Sequence, residues 1–355
     1  GRDVEMSVAS TKAFYSQIAA GFLLAAAIAQ EVIPGGEGAA ERSALLTGLR
    51  EIPAAMEATL ARRPVIAEAA RELCPPRRDW AIVGSGSNRI AAEEIRIKLS
   101  ELCYKAIASD AIEDKKHIDL SSEPLILVCA AGLVGSNADD VAKEVAIYRA
   151  HKATPVVIAT EDEDRFSGAL RVLTVPSVRH ELAFVLSTVV GHLFGYEAAL
   201  AIDAQALPLR EARGAIEDAV SGPLGEDADR LFTTLRPVFE PIAARFNDGL
   251  RSGAYNGHLE AGTAVRLASV FRYATGVVPL DAYQVEFGRV GTPGGVIEDL
   301  THALTGAIEE HPAIGLSILE AVDLPLEVIQ FVEAHHERLD GSGYPHGLSG
   351  MQVPE

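Results

Sequence analysis

An open, doubly wound parallel α/β sheet, preceded by a helical connector and followed by a mostly helical extension, is the fold class predicted by three observations. From Trp80 to Ala201 short apolar runs alternate with amphipathic helical stretches, the pattern of strands covered on both faces by crossover helices. Two of those runs pass directly into Gly- and Ser-rich turns, Gly84-Ser85-Gly86-Ser87 and Gly132 to Asn137, which then open helices. On either side of this region the apolar spacing becomes helical, with Pro and Gly as punctuation.

The elements follow in order. A first helix, opened by Ser10 or Thr11, runs to about Gln30 and is apolar on nearly every face. Its most apolar run, Ile18 to Ala29, is too short to cross a bilayer and reads as a buried core helix. After Pro34-Gly35-Gly36 come Ala-rich helices over residues 37–73, with Pro53 as a first helical position and Pro75-Pro76 as the stop. Strands are expected at Trp80–Val83, Tyr104–Ala108, Leu125–Cys129, Pro155–Ala159 and Val172–Val175. Helices are expected from Gly86 to about Leu102, from Gly135 to about His151 and from Glu181 to Ala201. Beyond Gly214 the pattern is helical and uneven, with a seam at residues 222–225, and Tyr273 to Pro293 is turn-rich but ordered by packing. The expected divisions are residues 1–76, 77–215, 216–310 and 311–355.

Composition narrows the function classes. The 355 residues carry a net charge of −19, which repels nucleic-acid phosphates, and no basic patch longer than a few residues interrupts it. Neither a nucleic acid nor a membrane is an expected partner. Cys74, Cys103 and Cys129 are odd in number, widely spaced and set in apolar surroundings, so they read as reduced thiols of a cytoplasmic protein without zinc spacing.

In an open α/β sheet, ligands bind beyond the carboxyl ends of the strands. Helix N-terminal amides and serine hydroxyls there can hold a phosphate without a lysine. Ser85, Ser87, Ser136 and Asn137 are the candidates. Lys98 and Glu101, three apart, share one face of a helix, where a carboxylate can carry a proton between neighbouring carbons.

Val8-Ala9-Ser10-Thr11-Lys12-Ala13-Phe14 resembles the helix-opening motif in the first of two sugar isomerase (SIS) subdomains of the glutamine–fructose-6-phosphate aminotransferase (isomerising) family. The resemblance spans residues 1–215 and implies a flavodoxin-like SIS domain. It implies one complete second subdomain at 77–215, preceded by the remnant of a first, so the chain is expected to be incomplete at its N-terminus. It places Lys98, Glu101 and His117 on the family's active-site lysine, proton-shuttling glutamate and ring-opening histidine, and Val8 and Ser10 against the substrate. The implied ligand is fructose 6-phosphate or glucosamine 6-phosphate, bound without a cofactor in a homodimer whose histidine comes from the neighbouring subunit. Two positions depart from the pattern. Ile118-Asp119 replaces the Gly-Pro that follows the histidine, and Leu209-Arg210-Glu211-Ala212-Arg213 offers arginines where the family has an imine-forming lysine. An arginine cannot shed its proton to attack a carbonyl. A non-catalytic sugar-phosphate sensor is therefore the alternative from a different class.

The end of the chain reads differently. His311-Pro312-Ala313-Ile314-Gly315 and His335-His336-Glu337-Arg338-Leu339-Asp340-Gly341-Ser342-Gly343-Tyr344-Pro345 resemble the later part of an HD-GYP domain, a metal-dependent phosphodiesterase of cyclic dinucleotides. His311, His335 and His336 are the metal-ligand candidates, suited with carboxylates to iron or manganese if the ligand set were complete. Val285-Glu286-Phe287-Gly288-Arg289 has the outline of the expected paired ligands but no histidine.

Overall fold

The computed structural model describes residues 11–33, 38–103, 105–115, 122–222, 227–256 and 258–320, except the side chains of Ala106 and of residues 311–320. The chain divides into two compact units, residues 1–201 and 202–355.

The first unit holds helices α1 (Thr11–Val32), α2 (Ala39–Leu60) and α3 (Arg63–Leu73), followed by a sheet with its crossover helices. The strands are β1 (Asp79–Gly84), β2 (Ala106–Asp110), β3 (Leu125–Cys129), β4 (Thr154–Thr160) and β5 (Arg171–Val175). They lie in the order β2-β1-β3-β4-β5, with every neighbouring pair parallel. This is the flavodoxin-like order, and the predicted fold class holds. Its switch point lies between β1 and β3, where Ile82 is in register with Leu127.

Every residue of β3 is buried, and so is β1 after Asp79, which is why these strands read as unbroken apolar runs rather than alternating ones. On one face, Ala81, Val83, Ile126, Val128 and Val157 pack with Val141, Val145 and Tyr148 of α5 (Gly135–Ala150). Helix α4 (Asn88–Cys103) packs against β1, β2 and β3 through its buried apolar positions, among them Ile95 and Leu99. Helix α6 (Ala183–Ser221) begins after the last strand.

Three expectations need correction. Pro53 does not open a helix but lies inside α2. Helix α1 is 22 residues long, long and apolar enough to cross a membrane, and none of its residues is buried. Leu23, Leu24 and Ile28 are all exposed, so the expected core helix is an exposed one. Helix α6 does not stop at Ala201 but runs through Pro208 to Ser221, because Leu209, Ala212 and Ile216 continue the buried stripe past the proline.

The second unit is helical. Helices α7 (Ala228–Ser252), α8 (Ala261–Ala274) and α10 (Pro293–Glu320) share a core built on Phe239, Phe246, Phe271, Leu300 and Leu304. Between α8 and α10, the turn-rich stretch is fixed by Tyr273, Tyr283 and Phe287, whose ring centroids lie 4.4–5.8 Å apart and of which the last two lie on α9 (Tyr283–Phe287). Helix α10 continues through His311 without a break.

Candidate functional site

Helix α4 is amphipathic in a way that isolates three charged residues. Ala91, Ala92, Ile95 and Leu99 are turned into the core, while Glu94, Lys98 and Glu101, spaced by four and three, rise on one face. Lys98 is buried, with Nζ 3.7 Å from Glu94 Oε1 and 3.5 Å from Glu101 Oε2. An ammonium taken out of water needs such partners.

Helix α6 packs beside this face, on Ile95 and Leu99. A Cβ added at Gly191 would stand 2.3 Å from Ile95, and one at Gly195 would stand 2.5 Å from Leu99, so only glycine allows this approach. His192, next to the first of these glycines, is thereby brought to Glu94, with Nε2 3.4 Å from Oε1. From α1, the Tyr15 hydroxyl lies 3.0 Å from His192 Nδ1.

The two carboxylates that flank Lys98 are driven apart. Burial pushes Glu94 up, but His192 and the Lys98 charge outweigh it and hold its pKa below the ordinary glutamate value. Glu101 is raised, by burial first, with Lys98 opposing. One carboxylate stays ionised while its neighbour is readier to hold a proton, the arrangement that acid–base chemistry at one site requires.

The switch point presents a second region, a cleft of ≈ 490 Å³ lined by residues that include Ser85, Gly86, Glu113, Asn137, Asp140, Lys143 and Glu144. The structure brings Ser85 and Asn137 together here, while Ser87 and Ser136 are exposed. Ser85 Oγ donates to Glu113 Oε2 at 3.0 Å and accepts from the Ile112 amide at 3.3 Å. Lys143 is held by Asp140 at 2.9 Å. At an effective dielectric of about 20, a carboxylate about 6 Å from a unit anion opposes it by roughly 3 kcal/mol. A helix N-terminus returns only about 1 kcal/mol at most in exposed settings. The acidic lining therefore outweighs the start of α5 as a determinant of what this cleft accepts.

Val8, Ser10, His117, His335 and His336 lie outside the described residues, as does the His311 side chain. Among the described residues, no group of three or more His, Cys, Asp or Glu is placed to hold a metal ion. Glu286 accepts from Ser269 and, at 2.7 Å, from the Tyr273 hydroxyl. Asp299 is engaged by Arg289, Arg266 and the Tyr283 hydroxyl. Carboxylates satisfied in this way do not fit iron or manganese ligation, and no step is derived through a metal.

Sequence reasoning missed Glu94, His192 and Tyr15. Glu94 had a signal, its i, i+4 spacing to Lys98. His192 had a weaker one, glycines four apart on either side of it. Nothing local pairs Tyr15 with a residue 177 positions away.

Comparison with known proteins adds parentage. The chain is 30% identical over 201 residues to the glutamine–fructose-6-phosphate aminotransferase (isomerizing) of Streptococcus pyogenes serotype M3, which covers 55% of this chain and 32% of the relative. It is 33% identical over 202 residues to the enzyme of the same name from Thermus thermophilus, with the same coverage. The chain is homologous to the isomerase domain of these aminotransferases. It spans about a third of their length. Among solved structures, it resembles the C-terminal domain of glucosamine-fructose-6-phosphate aminotransferase from Francisella tularensis, with 20% identity, a TM-score of 0.48 and 56% of each chain covered. A family model for the HD domain matches residues 281–355. That match begins ahead of His311 and takes in Val285 to Arg289, the segment with the outline of the paired ligands but no histidine.

Proposed function

We propose that the first unit binds a hexose 6-phosphate of the kind handled by the isomerase half of glutamine–fructose-6-phosphate aminotransferases, with fructose 6-phosphate and glucosamine 6-phosphate as the ligands. The observation that carries this reading is the buried Lys98 between two carboxylates of opposite pKa tendency. Lys98 would stabilise charge that develops on the sugar oxygen. Glu101, with its raised pKa, would take a proton from one carbon as a carboxylate and return it to the next, while the hydroxyl proton passes from one sugar oxygen to the other, which balances an aldose–ketose isomerisation. His117 would assist ring opening from a neighbouring subunit, so a homodimer belongs to this reading. The acidic cleft at the switch point is assigned the smaller part in phosphate binding.

A second reading, binding without turnover, is favoured by the residues in place of the imine-forming lysine. Arg210 is paired with Asp203 at 3.0 Å and Arg213 with Glu217 at 2.9 Å. Calorimetric titration of the full chain with both sugar phosphates tests the shared claim, and proton NMR of the same mixtures separates the two readings. Binding weakened at least about tenfold in Lys98→Met is expected, since charge-assisted hydrogen bonds contribute about 1.5–3 kcal/mol. Heat from neither ligand would sink both. Isomerised product that disappears in Glu101→Gln supports turnover; unchanged affinity in that variant with no product from either protein supports the sensor.

A further inference from the structure

His192 carries chemistry that sugar-phosphate binding by Lys98 and Glu101 leaves unused. Its imidazole lies between α1 and α4 with its side chain 11% exposed, facing a Glu94 side chain that is 13% exposed. Among the described residues, the charged and titratable groups around it are Tyr15 from α1 and Glu94, then Lys98 and Glu101, from α4. Burial first, and the Glu94 charge second, push the Tyr15 phenol well above its ordinary pKa, so it remains a hydroxyl that can donate. Nδ1 of His192 then accepts. In the tautomer that meets both partners, Nε2 carries the proton and faces Glu94, a carboxylate that can only accept.

Glu94 Oε1 is contested. It lies 3.4 Å from His192 Nε2 and 3.7 Å from Lys98 Nζ, while Lys98 also lies 3.5 Å from Glu101. Among the described residues neither Nε2 nor Oε1 completes a hydrogen bond, and their 3.4 Å separation leaves the contact between these two buried atoms loose. The stronger the hold of His192 on Glu94, the less of the Lys98 ammonium Glu94 retains. The glycines at 191 and 195 make the arrangement possible, because any larger residue would lift α6, and His192 with it, away from α4.

We propose that His192 is a positioning residue: fixed in one tautomer by Tyr15, it holds Glu94 as a carboxylate and so sets how much of Lys98 is available to Glu101 and to a ligand anion. This rests on Lys98 and Glu101 being the residues that meet the sugar phosphate. His192 itself touches no reacting atom. Its influence reaches Glu101 through the intervening charges of Glu94 and Lys98.

The test uses the full chain without ligand. Carbon-13 NMR follows the titration of the Glu94 and Glu101 carboxyls in wild type, His192→Leu and His192→Gln, and nitrogen-15 ring spectra report the His192 tautomer in wild type and Tyr15→Phe. In His192→Leu both carboxyls are expected to titrate higher by about half a unit or more, Glu94 for loss of its donor and Glu101 because Lys98 is drawn back to Glu94. His192→Gln keeps an N–H donor and is expected to restore most of the Glu94 position. Wild type is expected to show the Nε2–H form, and Tyr15→Phe a mixture. A Glu101 titration indifferent to His192 in a folded variant overturns the proposal. Should His192→Leu not fold, an unchanged Glu101 titration in His192→Gln together with an unchanged tautomer in Tyr15→Phe overturns it equally. Fructose 6-phosphate is then added to each protein. Coupled titrations without sugar binding leave the positioning network and remove the ligand reading; sugar binding with uncoupled titrations does the reverse.

Discussion

The α4 face and the switch-point cleft belong to the same unit, and they separate two things that usually coincide in an open α/β sheet. The cleft lies where topology directs ligands, beyond the carboxyl ends of β1 and β3, and it has a volume of ≈ 490 Å³. Its lining is acidic, and its serine and lysine are already engaged. The α4 face sits away from that edge, yet it has the buried cation and the two carboxylates pulled in opposite directions. Strand order predicts where a pocket forms; charge decides what can be done there.

The largest expected effect breaks one side of this contrast mechanically. Gly191→Val would place side-chain carbon where Ile95 already is, forcing α6 off α4. Overpacking of this kind costs about 3 kcal/mol. The counterpart in the cleft, Gly86→Ala, meets nothing within 4 Å and has only its positive φ of 60° against it, a penalty of about 1 kcal/mol. Denaturant titration of both variants checks the order. A reversal would mean that the packing of α6 on α4 is not what defines the face.

Next is ligand affinity. Lys98→Met is expected to weaken fructose 6-phosphate binding by about tenfold or more, whereas Asn137→Ala in the cleft should change it by less than about twofold. Titration calorimetry on the two variants decides. A larger loss in Asn137→Ala would move the phosphate to the switch point and invert the comparison.

The fold was legible because its central strands β1, β3 and β4 are almost wholly buried. Leu125–Cys129 and its neighbour β1 form apolar runs that pass into Gly- and Ser-containing turns. The edge strand β2 was placed two residues early, because Lys105 interrupts the apolar start and the strand ends in Ser109-Asp110. Pro208 concealed the continuation of α6, since a proline inside a helix resembles a stop in sequence. At the site, Lys98 and Glu101 were legible as a local pair on one helix. His192 and Tyr15 were not, because their meeting depends on three helices converging through the small volumes of Gly191 and Gly195. Local spacing reports what one helix presents and is blind to what another helix brings to it.

A third expectation compares Lys98 with Lys105, also buried. Lys105 donates to the Arg77 carbonyl at 2.8 Å and lies 5.7 Å from the centre of the Trp80 ring. Burial, partly offset by Cys74 and Cys103, pulls its pKa down to about 8. The folded chain gives up this proton before the unfolded chain does, so stability rises with pH between about 8 and the ordinary lysine value, and the penalty of the buried ammonium persists below 8. Lys105→Met should stabilise the protein at pH 7 by about 2 kcal/mol after allowance for the lost hydrogen bond. The rise above pH 8 should also be absent from its stability profile. A destabilised variant would show that Lys105, like Lys98, is held by more than it loses to burial.

The smallest effect is also the most specific to the α4 face, because its two glutamates should respond to pH with opposite signs. Glu101 has a raised pKa, so whatever stability it supplies is present below the ordinary glutamate value and lost as pH rises through the raised one. Glu101→Gln should match wild type at low pH and exceed it at neutral pH. With 38% of the side chain exposed, solvent screening limits the gain to a few tenths of a kcal/mol. Glu94 has a lowered pKa, so its contribution is present above the ordinary value and lost as pH falls through the lowered one. Glu94→Gln should therefore be less stable than wild type at neutral pH and converge with it in acid. Thermal melts of the two variants from pH 3 to 8 measure both slopes. Two curves that bend the same way would mean that the carboxylates share one environment, and that Lys98 does not stand between an ionised group and a proton carrier.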